Sequence, residues 1–279
     1  MTTIEVRGLR KAYGGTPAVD GLDLTVRPGE VFALLGPNGA GKTTTVEILE
    51  GHRRRDAGTV RVLGEDPATA GRRWRAKVGI VLQTATDAAD LTVTESVRHY
   101  ASYYPAPRDP DAVIDACGLR EKARARVRTL SGGQRRRLDV ALGIIGGPEL
   151  VFLDEPTTGF DPEARRQFWD LVRDLSSAGT TVVLTTHYLA EAEALADRLA
   201  VLVAGRIVAE GTPQSIGGRA SALASVSWTD DAGTHEVAAE DPAALIATLA
   251  ARTDRPVTDL RVHRPSLEDI YLDLIGARS

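Results

Sequence analysis

The stretch VFALLGPNGAGKTTTVEIL, residues 31–49, joins an apolar run to a helical pattern through a glycine-rich loop. The run VFALL is typical of a strand that is buried on both faces of a parallel sheet. The residues after it match the pattern G-x-x-x-x-G-K-[ST] through Gly36, Gly41, Lys42 and Thr43. Glycines in such a loop let several backbone N–H groups turn inward, where they and the helix dipole hold an anion. The stretch therefore predicts a phosphate-binding loop in an α/β fold.

Two side chains of this loop have predicted chemical roles. Lys42 would reach the β- and γ-phosphates of a nucleoside triphosphate, and the Thr43 hydroxyl would bind Mg²⁺. The other loop residues expected to contact the nucleotide are Gly36, Pro37, Asn38, Gly39, Ala40, Gly41 and Thr44. The alternative is an ordinary glycine-rich turn, which the flanking strand and helix patterns disfavour.

An acidic pair ends a second buried strand. In LVFLDEP, residues 150–156, an apolar run leads into Asp154 and Glu155. Asp154 is predicted to hold hydrated Mg²⁺. Glu155 is placed to orient and deprotonate a water that attacks the γ-phosphate. An isolated Asp-Glu pair is usually a solvated turn, but together with the glycine loop it predicts a nucleoside triphosphatase.

The bulk properties exclude several classes of protein. The 279 residues carry a formal net charge of −4, so no global basic field attracts nucleic acid, and no nucleic-acid partner is expected. The single cysteine, Cys117, excludes an internal disulfide and a multi-cysteine metal site, and its apolar surroundings favour a buried structural role. The sequence begins without a signal-peptide pattern and has no apolar run of about 18 residues, so we expect a cytoplasmic chain.

Strand and helix patterns alternate along most of the chain, which indicates an α/β core with a mainly parallel sheet. Short strands before residue 31 predict an N-terminal antiparallel β subdomain. Residues 84–148 are predicted to form an inserted helical subdomain, in which residues 110–127 keep a helical spacing of apolar residues. We place the first domain at residues 1–217. A small α+β appendage, residues 218–279, follows it with the order strand, turn, strand, helix, strand, helix.

The stretch LSGGQ, residues 130–134, lies shortly before the acidic pair and resembles the signature of ATP-binding cassette (ABC) ATPases. Other residues resemble further elements of that family, in the family's order along the chain: Tyr13 in RKAYGG, Gln83 at the end of VGIVLQ, Asp161 in PTTGFDP and His187 after VVLTT. The resemblance covers about residues 3–215. Phe160 stands where leucine is commoner, which exchanges one apolar side chain for another.

The resemblance implies a nucleotide site that two chains share. In this family the signature of one copy closes over the ATP held by the other, in a pair with two-fold symmetry. The signature residues expected at the nucleotide are Ser131, Gly132, Gly133 and Gln134. Gln83 would sense Mg²⁺ and the attacking water, and His187 would contact the γ-phosphate beside Glu155. Tyr13 would stack on adenine, and Asp161 would lie at the interface between the chains.

The resemblance also implies work on a membrane partner. We expect the ATP-binding and ATP-hydrolysing subunit of an ABC transporter, peripheral on the cytoplasmic side of the membrane and docked through residues 84–104 on a separate permease subunit. The tail HRPSLEDIYLDLIG resembles the ends of drug-resistance and ABC-2 type exporter ATPases, which implies export of a drug-like or lipophilic compound. The alternatives are a regulatory ATPase, a soluble ABC ATPase acting on ribosomes or DNA, and a small-molecule kinase. The arginines at 135–137 are expected along a helix, partly solvated and partly paired with acids.

Overall fold

The computed structural model describes residues 2–81, 90–251 and 257–276. Gln83 and the predicted start of the helical subdomain lie outside these residues. The chain divides into two compact units, Met1–Glu210 and Gly211–Ser279. Within the described ranges, no helix is long and apolar enough to cross a membrane.

The strands of the first unit form two sheets. In chain order they are β1 (Ile4–Tyr13), β2 (Thr16–Val26), β3 (Val31–Leu35), β4 (Ala57–Val62), β5 (Val78–Val81), β6 (Leu150–Asp154), β7 (Thr181–Thr185), β8 (Arg198–Val203) and β9 (Arg206–Gly211). The smaller sheet is antiparallel, in the order β2-β1-β4. It buries one face through residues such as Ile4, Val6 and Val60. The predicted N-terminal antiparallel β subdomain is therefore confirmed.

The larger sheet has the strand order β5-β6-β7-β3-β8-β9. Strands β5, β6, β7, β3 and β8 pair in parallel with their neighbours. All residues of β3 and β7 are buried, as a sheet covered on both faces requires. Strand β9 follows β8 through Ala204 and Gly205, which both have positive φ, as a tight hairpin turn needs. Because β3 and β6 are separated only by β7, the glycine loop and the acidic pair leave the same edge of the sheet.

Helices α1 (Lys42–Leu49), α2 (Arg72–Arg75), α3 (Val93–Ala101), α4 (Pro110–Ala116), α5 (Gly132–Ile144), α6 (Pro162–Ser177) and α7 (Leu189–Leu195) complete the first unit. Helices α3, α4 and α5 pack together in the predicted helical subdomain. The helical spacing over residues 110–127 predicts a longer helix than α4. The helix ends early because Gly118 adopts a left-handed φ of 64°, and the chain continues as short 3₁₀ turns. The predicted α/β cassette with an inserted helical subdomain is confirmed.

The second unit contains β10 (Ala224–Asp230), β11 (Gly233–Ala239), α8 (Pro242–Ala250), β12 (Thr258–His263) and α9 (Leu267–Gly276). Its antiparallel sheet has the order β11-β10-β12 and packs on α8 through Val226, Trp228 and Leu249. The turn Ile216–Ser221 packs on α9, since a Cβ atom on Gly217 would lie 2.5 Å from Ile270 Cγ2. The second compact unit comprises Gly211–Ser279, and the boundary after residue 217 stays a prediction.

Candidate functional site

The glycine loop runs from the end of β3 to the start of α1, and its close packing explains its glycines. A Cβ atom on Gly36 would lie 2.3 Å from the carbonyl oxygen of Leu202. A Cβ atom on Gly41 would lie 2.2 Å from the carbonyl oxygen of Ala18, and Gly41 has a left-handed φ of 102° where it caps α1. Only glycine fits these positions. The backbone amides of Gly39, Ala40 and Gly41 belong to this same loop, as a phosphate cradle requires.

Lys42 is the first residue of α1 and is buried, with 7% of its surface exposed. Its ammonium group donates to the carbonyl oxygens of Gly36 at 2.6 Å and Pro37 at 3.1 Å. Burial lowers the pKa of Lys42, whereas the charges of Glu155 and Asp154 act to raise it. The glycine loop and the acidic pair are therefore close enough to form one electrostatic site.

The acidic pair occupies the carboxyl end of β6 and is held by the neighbouring strand β7. The Thr185 hydroxyl donates to Asp154 Oδ1, and the backbone N–H of Glu155 donates to the carbonyl oxygen of Thr185 at 3.1 Å. Glu155 has a φ of 44°, in the left-handed region that residues other than glycine rarely adopt. Such backbone geometry persists only where the surrounding structure imposes it, and it is common at functional sites.

His187 lies beside Glu155. Its Nδ1 is 3.2 Å from Glu155 Oε1, and the side chain of Glu155 is 19% exposed whereas that of His187 is 44% exposed. The histidine follows the end of β7, so parallel pairing of β6 and β7 brings the two residues to the same edge of the sheet. The structure thus brings together Lys42, Asp154, Glu155 and His187.

The oxygen atoms at this site fit Mg²⁺. Thr43 and Asp154 offer a hydroxyl and a carboxylate, and Mg²⁺ prefers such oxygen ligands and usually binds one or two carboxylates together with substrate phosphates. The described residues contain no group of three or more His, Cys, Asp or Glu side chains that could hold a metal by itself. A metal at this site would need further ligands beyond Thr43 and Asp154, such as nucleotide phosphates and water.

The signature residues form the start of α5. Ser131 caps this helix, because its hydroxyl accepts from the backbone N–H of Gln134 at 3.3 Å and its own N–H donates to Gln134 Oε1 at 3.1 Å. Ser131 and Gly132 are exposed, and Gly133 is half-buried. Helix α5 packs on α3, α4 and β5. The exposed residues Ser131 and Gly132 stand at the N-terminal end of this helix, where backbone N–H groups can hold an anion.

Two further predicted residues have structural partners in the chain. Asp161 caps α6, since its Oδ1 accepts from the backbone N–H of Ala164 at 2.8 Å. Tyr13 ends β1 and is 43% exposed, with the Arg53 guanidinium 5.3 Å and the Lys11 ammonium 5.6 Å from its ring centroid. A planar ligand that stacks on this ring would have to compete with these two cations. Gln83 lies outside the described residues.

Arg136 and Thr185 contribute to the site and were not predicted to do so. Residues 135–137 were expected to be partly solvated and partly paired with acids; Arg136 is buried, and its Nε donates to the carbonyl oxygen of Pro156 at 3.2 Å. Arg136 shares a helix face with Val140 and Ile144, since residues four apart lie above one another. That spacing could have identified Arg136 as buried. The sequence offers no comparable signal for Thr185, because strand threonines are common.

Cys117 takes no part in this site. It is buried, and burial raises the pKa of its thiol to about 12. The thiol therefore stays protonated at neutral pH and is not a nucleophile. This agrees with the structural role expected from its apolar surroundings.

Comparisons with known proteins agree with this geometry. The family model described as "ABC transporter" matches residues 19–158. The Nod factor export ATP-binding protein I of Ralstonia nicotianae is 39% identical over 98% of this chain and 94% of its own length. The daunorubicin/doxorubicin resistance ATP-binding protein of Streptomyces peucetius is 49% identical over 75% of this chain and 65% of its own length.

A solved structure shares the fold. It is a dimeric ATP-binding cassette in a post-hydrolysis state, bound to ADP and phosphate, and it is 23% identical to this chain. The two superpose with a TM-score of 0.68 over 75% of this chain and 98% of the other. The phosphate-binding loop, the acidic pair and these matches lead to one conclusion. The chain belongs to the ABC transporter family as an ATP-binding subunit that hydrolyses ATP.

Proposed function

We propose that this subunit binds Mg-ATP between two copies of the chain and uses its hydrolysis to drive export through a separate membrane-spanning permease. The convergence of Lys42, Asp154, Glu155 and His187 carries the proposal, above all the 3.2 Å separation between Glu155 Oε1 and His187 Nδ1. In this group Lys42 supplies a cation to bind phosphate, Asp154 a carboxylate to bind the metal, and Glu155 a carboxylate positioned as a general base.

Binding depends on the loop that precedes α1. Its backbone amides and the Lys42 ammonium would hold the β- and γ-phosphates. The Lys42 ammonium now contacts the carbonyl oxygens of Gly36 and Pro37, so it can exchange these contacts for phosphate oxygens without leaving the loop. Thr43, Asp154 and Gln83 would hold Mg²⁺, which supplies charge neutralisation at the phosphate oxygens when bound.

Hydrolysis depends on the residues at the ends of β6 and β7. Glu155 would accept a proton from the attacking water, and His187 would hold the water and the γ-phosphate in line with it. The hydrogen bond from Thr185 fixes the Asp154 carboxylate, and Glu155, which lies beside His187, is the carboxylate placed to act as the base. Gln83 would complete the group that senses metal and water.

The exposed start of α5 supports a composite site. Ser131, Gly132 and Gly133 combine exposed or half-exposed backbone with the positive end of a helix, which suits the phosphates of a nucleotide held by a second copy. Gln134 supports this turn through the capping box, and Asp161 would lie at the same interface. Tyr13 would stack on the adenine of its own chain. The cassette of the same fold that binds ADP and phosphate is itself dimeric.

Export is the direction that the relatives favour. Their names describe Nod factor export and daunorubicin/doxorubicin resistance, so we propose a drug-like or lipophilic substrate. The subunit would lie peripherally on the cytoplasmic side of the membrane, with residues 84–104 against the permease. Reconstitution in vesicles with a candidate permease, chosen from neighbouring reading frames with several apolar spans, tests this. We expect ATP-dependent substrate movement and faster ATP hydrolysis with the permease. The absence of both changes would contradict a role in transport.

Replacing Lys42 with alanine is expected to weaken ATP binding. The loop would lose a charge-assisted contact with phosphate, and such contacts contribute about 1.5–3 kcal/mol, or roughly 10- to 100-fold in Kd. Titration with a fluorescent ATP analogue measures the change. Lys77→Ala is the matched control, because Lys77 forms only an exposed ion pair with Glu149 at 3.0 Å. Equal affinity of the Lys42 variant and the parent would contradict the predicted role.

A further inference from the structure

Two charged side chains are buried beneath the turn that carries Glu155. Arg136 comes from α5 and Glu191 from α7, with 7% and 0% of their surfaces exposed. Burying a charge costs free energy unless the surroundings compensate it. Neither residue has a role in the mechanism described above, so their burial at this position needs an explanation.

Arg136 contacts the backbone on both sides of Glu155. Its Nη2 donates to the carbonyl oxygen of Asp154, and its Nε donates to the carbonyl oxygen of Pro156 at 3.2 Å. The two bonds span the residue that adopts the left-handed φ of 44°. A guanidinium group suits this arrangement, because its donors have a fixed planar geometry. Arg136 therefore holds the turn in the conformation that directs Glu155 towards His187.

Glu191 lies beside the segment that carries His187, because its backbone N–H donates to the carbonyl oxygen of Tyr188 at 3.0 Å, and the residue is fully buried. Burial raises the pKa of its carboxyl group, while the Thr186 and Thr157 hydroxyls lower it. Thr186 directly precedes His187, and its Oγ1 also accepts from the backbone N–H of Tyr188 at 3.0 Å. Thr157 follows the turn that contains Glu155. One buried carboxyl group thus neighbours both catalytic segments.

The charges around these residues are complementary. Glu191, Asp139, Asp154 and Glu155 all act to raise the pKa of Arg136, against the effect of its burial. Arg165 and the indole N–H of Trp169 act to lower the pKa of Glu191. No described residue makes a hydrogen bond of standard geometry to either carboxylate oxygen of Glu191. The Thr186 and Thr157 hydroxyls, the Trp169 indole and the Arg165 cation all favour the ionised form of Glu191 against the effect of its burial.

We propose that Arg136 and Glu191 are positioning residues for hydrolysis, with Arg136 fixing the turn around Glu155 and Glu191 holding the Thr157 and Thr186 segments in register. The inference rests on the proposed roles of Glu155 and His187. The two residues should affect the rate of ATP hydrolysis and not ATP binding, because neither belongs to the loop around Lys42. Variants of both are expected to lose kcat and to keep their affinity for ATP.

Arg136→Gln and Arg136→Lys, made in the 279-residue chain, test the role proposed for Arg136. A displacement of reacting groups by about 1 Å can cost on the order of 100-fold in rate, and we expect a loss of kcat up to that size for Arg136→Gln. Arg136→Lys keeps the charge but cannot span both carbonyl groups, so it should recover only part of the rate. Kd for ATP should stay unchanged. Arg137→Gln is the matched control, since Arg137 on the same helix bonds to Gly118 instead.

The single variant Glu191→Gln and the double variant Arg136→Gln/Glu191→Gln test the role proposed for Glu191. If the two charges compensate each other, the double variant should lose less activity than the product of the two single losses. Thermal melting of every variant reports folding. Should Arg136→Gln fail to fold, Arg136→Lys and Glu191→Gln provide the same test.

Three results would overturn the inference. They are an unchanged kcat in the folded variants, a rise in Kd that matches the fall in kcat, and an Arg137→Gln variant that loses as much turnover as Arg136→Gln. A failure of the proposed function would give a different result, namely ATP hydrolysis by Glu155→Gln at the parent rate. If Glu155→Gln is inactive and Arg136→Gln is fully active, only the positioning role of Arg136 is overturned.

Discussion

Replacing Glu155 with glutamine is expected to lower kcat for ATP hydrolysis by about 10²- to 10⁴-fold, because general-base assistance contributes that much. The amide has nearly the same shape as the carboxylate, so it can occupy the same place beside His187, but it cannot accept the proton. The phosphate contacts of the loop around Lys42 remain. Kd for ATP should therefore stay unchanged, and the ATP-bound form should accumulate. Phosphate release and ATP titration measure the two quantities.

A second acidic residue of the same region provides the control for this prediction. Glu149 directly precedes β6 and is exposed, so Glu149→Gln removes the same charge without touching the site. This control should hydrolyse ATP at the parent rate. Steady-state hydrolysis by Glu155→Gln at the parent rate would remove Glu155 from the mechanism. A loss of ATP affinity equal to the loss of rate would show that Glu155 serves binding instead.

Replacing Ser131 with arginine is expected to abolish ATP hydrolysis while a single chain still binds ATP. The exposed first turn of α5 would carry a long cationic side chain where a second copy must place its nucleotide. The defect lies across the interface between chains, so it should leave the phosphate loop of the same chain intact. ATP titration at low protein concentration and hydrolysis at high concentration separate the two effects.

The substitution also removes a helix cap, whose loss costs about 0.5–2 kcal/mol of stability. Thr92→Arg controls for that effect, because Thr92 forms the equivalent capping box at the start of α3. We expect both variants to melt at a lower temperature and only Ser131→Arg to lose hydrolysis. Loss of ATP binding by single chains of Ser131→Arg would contradict the division of the site between two copies.

The sequence predicted the parts of the site that follow buried strands. Runs of apolar residues marked β3, β6 and β7, and the residues after them form the group around Lys42, Glu155 and His187. The carboxyl ends of parallel strands lie at one edge of a sheet, so the neighbourhood of these residues follows from strand order. That residues following buried strands lie close together can therefore be predicted from the order of amino acids alone.

Features that depend on tertiary contacts were harder to predict. The arginines at 135–137 were expected to be partly solvated and partly paired with acids, but Arg136 is buried against backbone carbonyl groups that its sequence neighbours do not reveal. Helical spacing continued beyond Ala116, but Gly118 ends the helix through its left-handed backbone. In each case a contact distant in sequence or a local backbone conformation decides the outcome.

The central claim is that the nucleotide is held between two chains, and one measurement tests it most directly. Light scattering gives the molar mass of the Glu155→Gln variant with saturating Mg-ATP, with the Glu155→Gln/Ser131→Arg double variant measured in parallel. The account predicts twice the mass of one chain for the single variant with ATP, one chain without ATP, and one chain for the double variant in both conditions. A single-chain mass for Glu155→Gln at saturating Mg-ATP would contradict it.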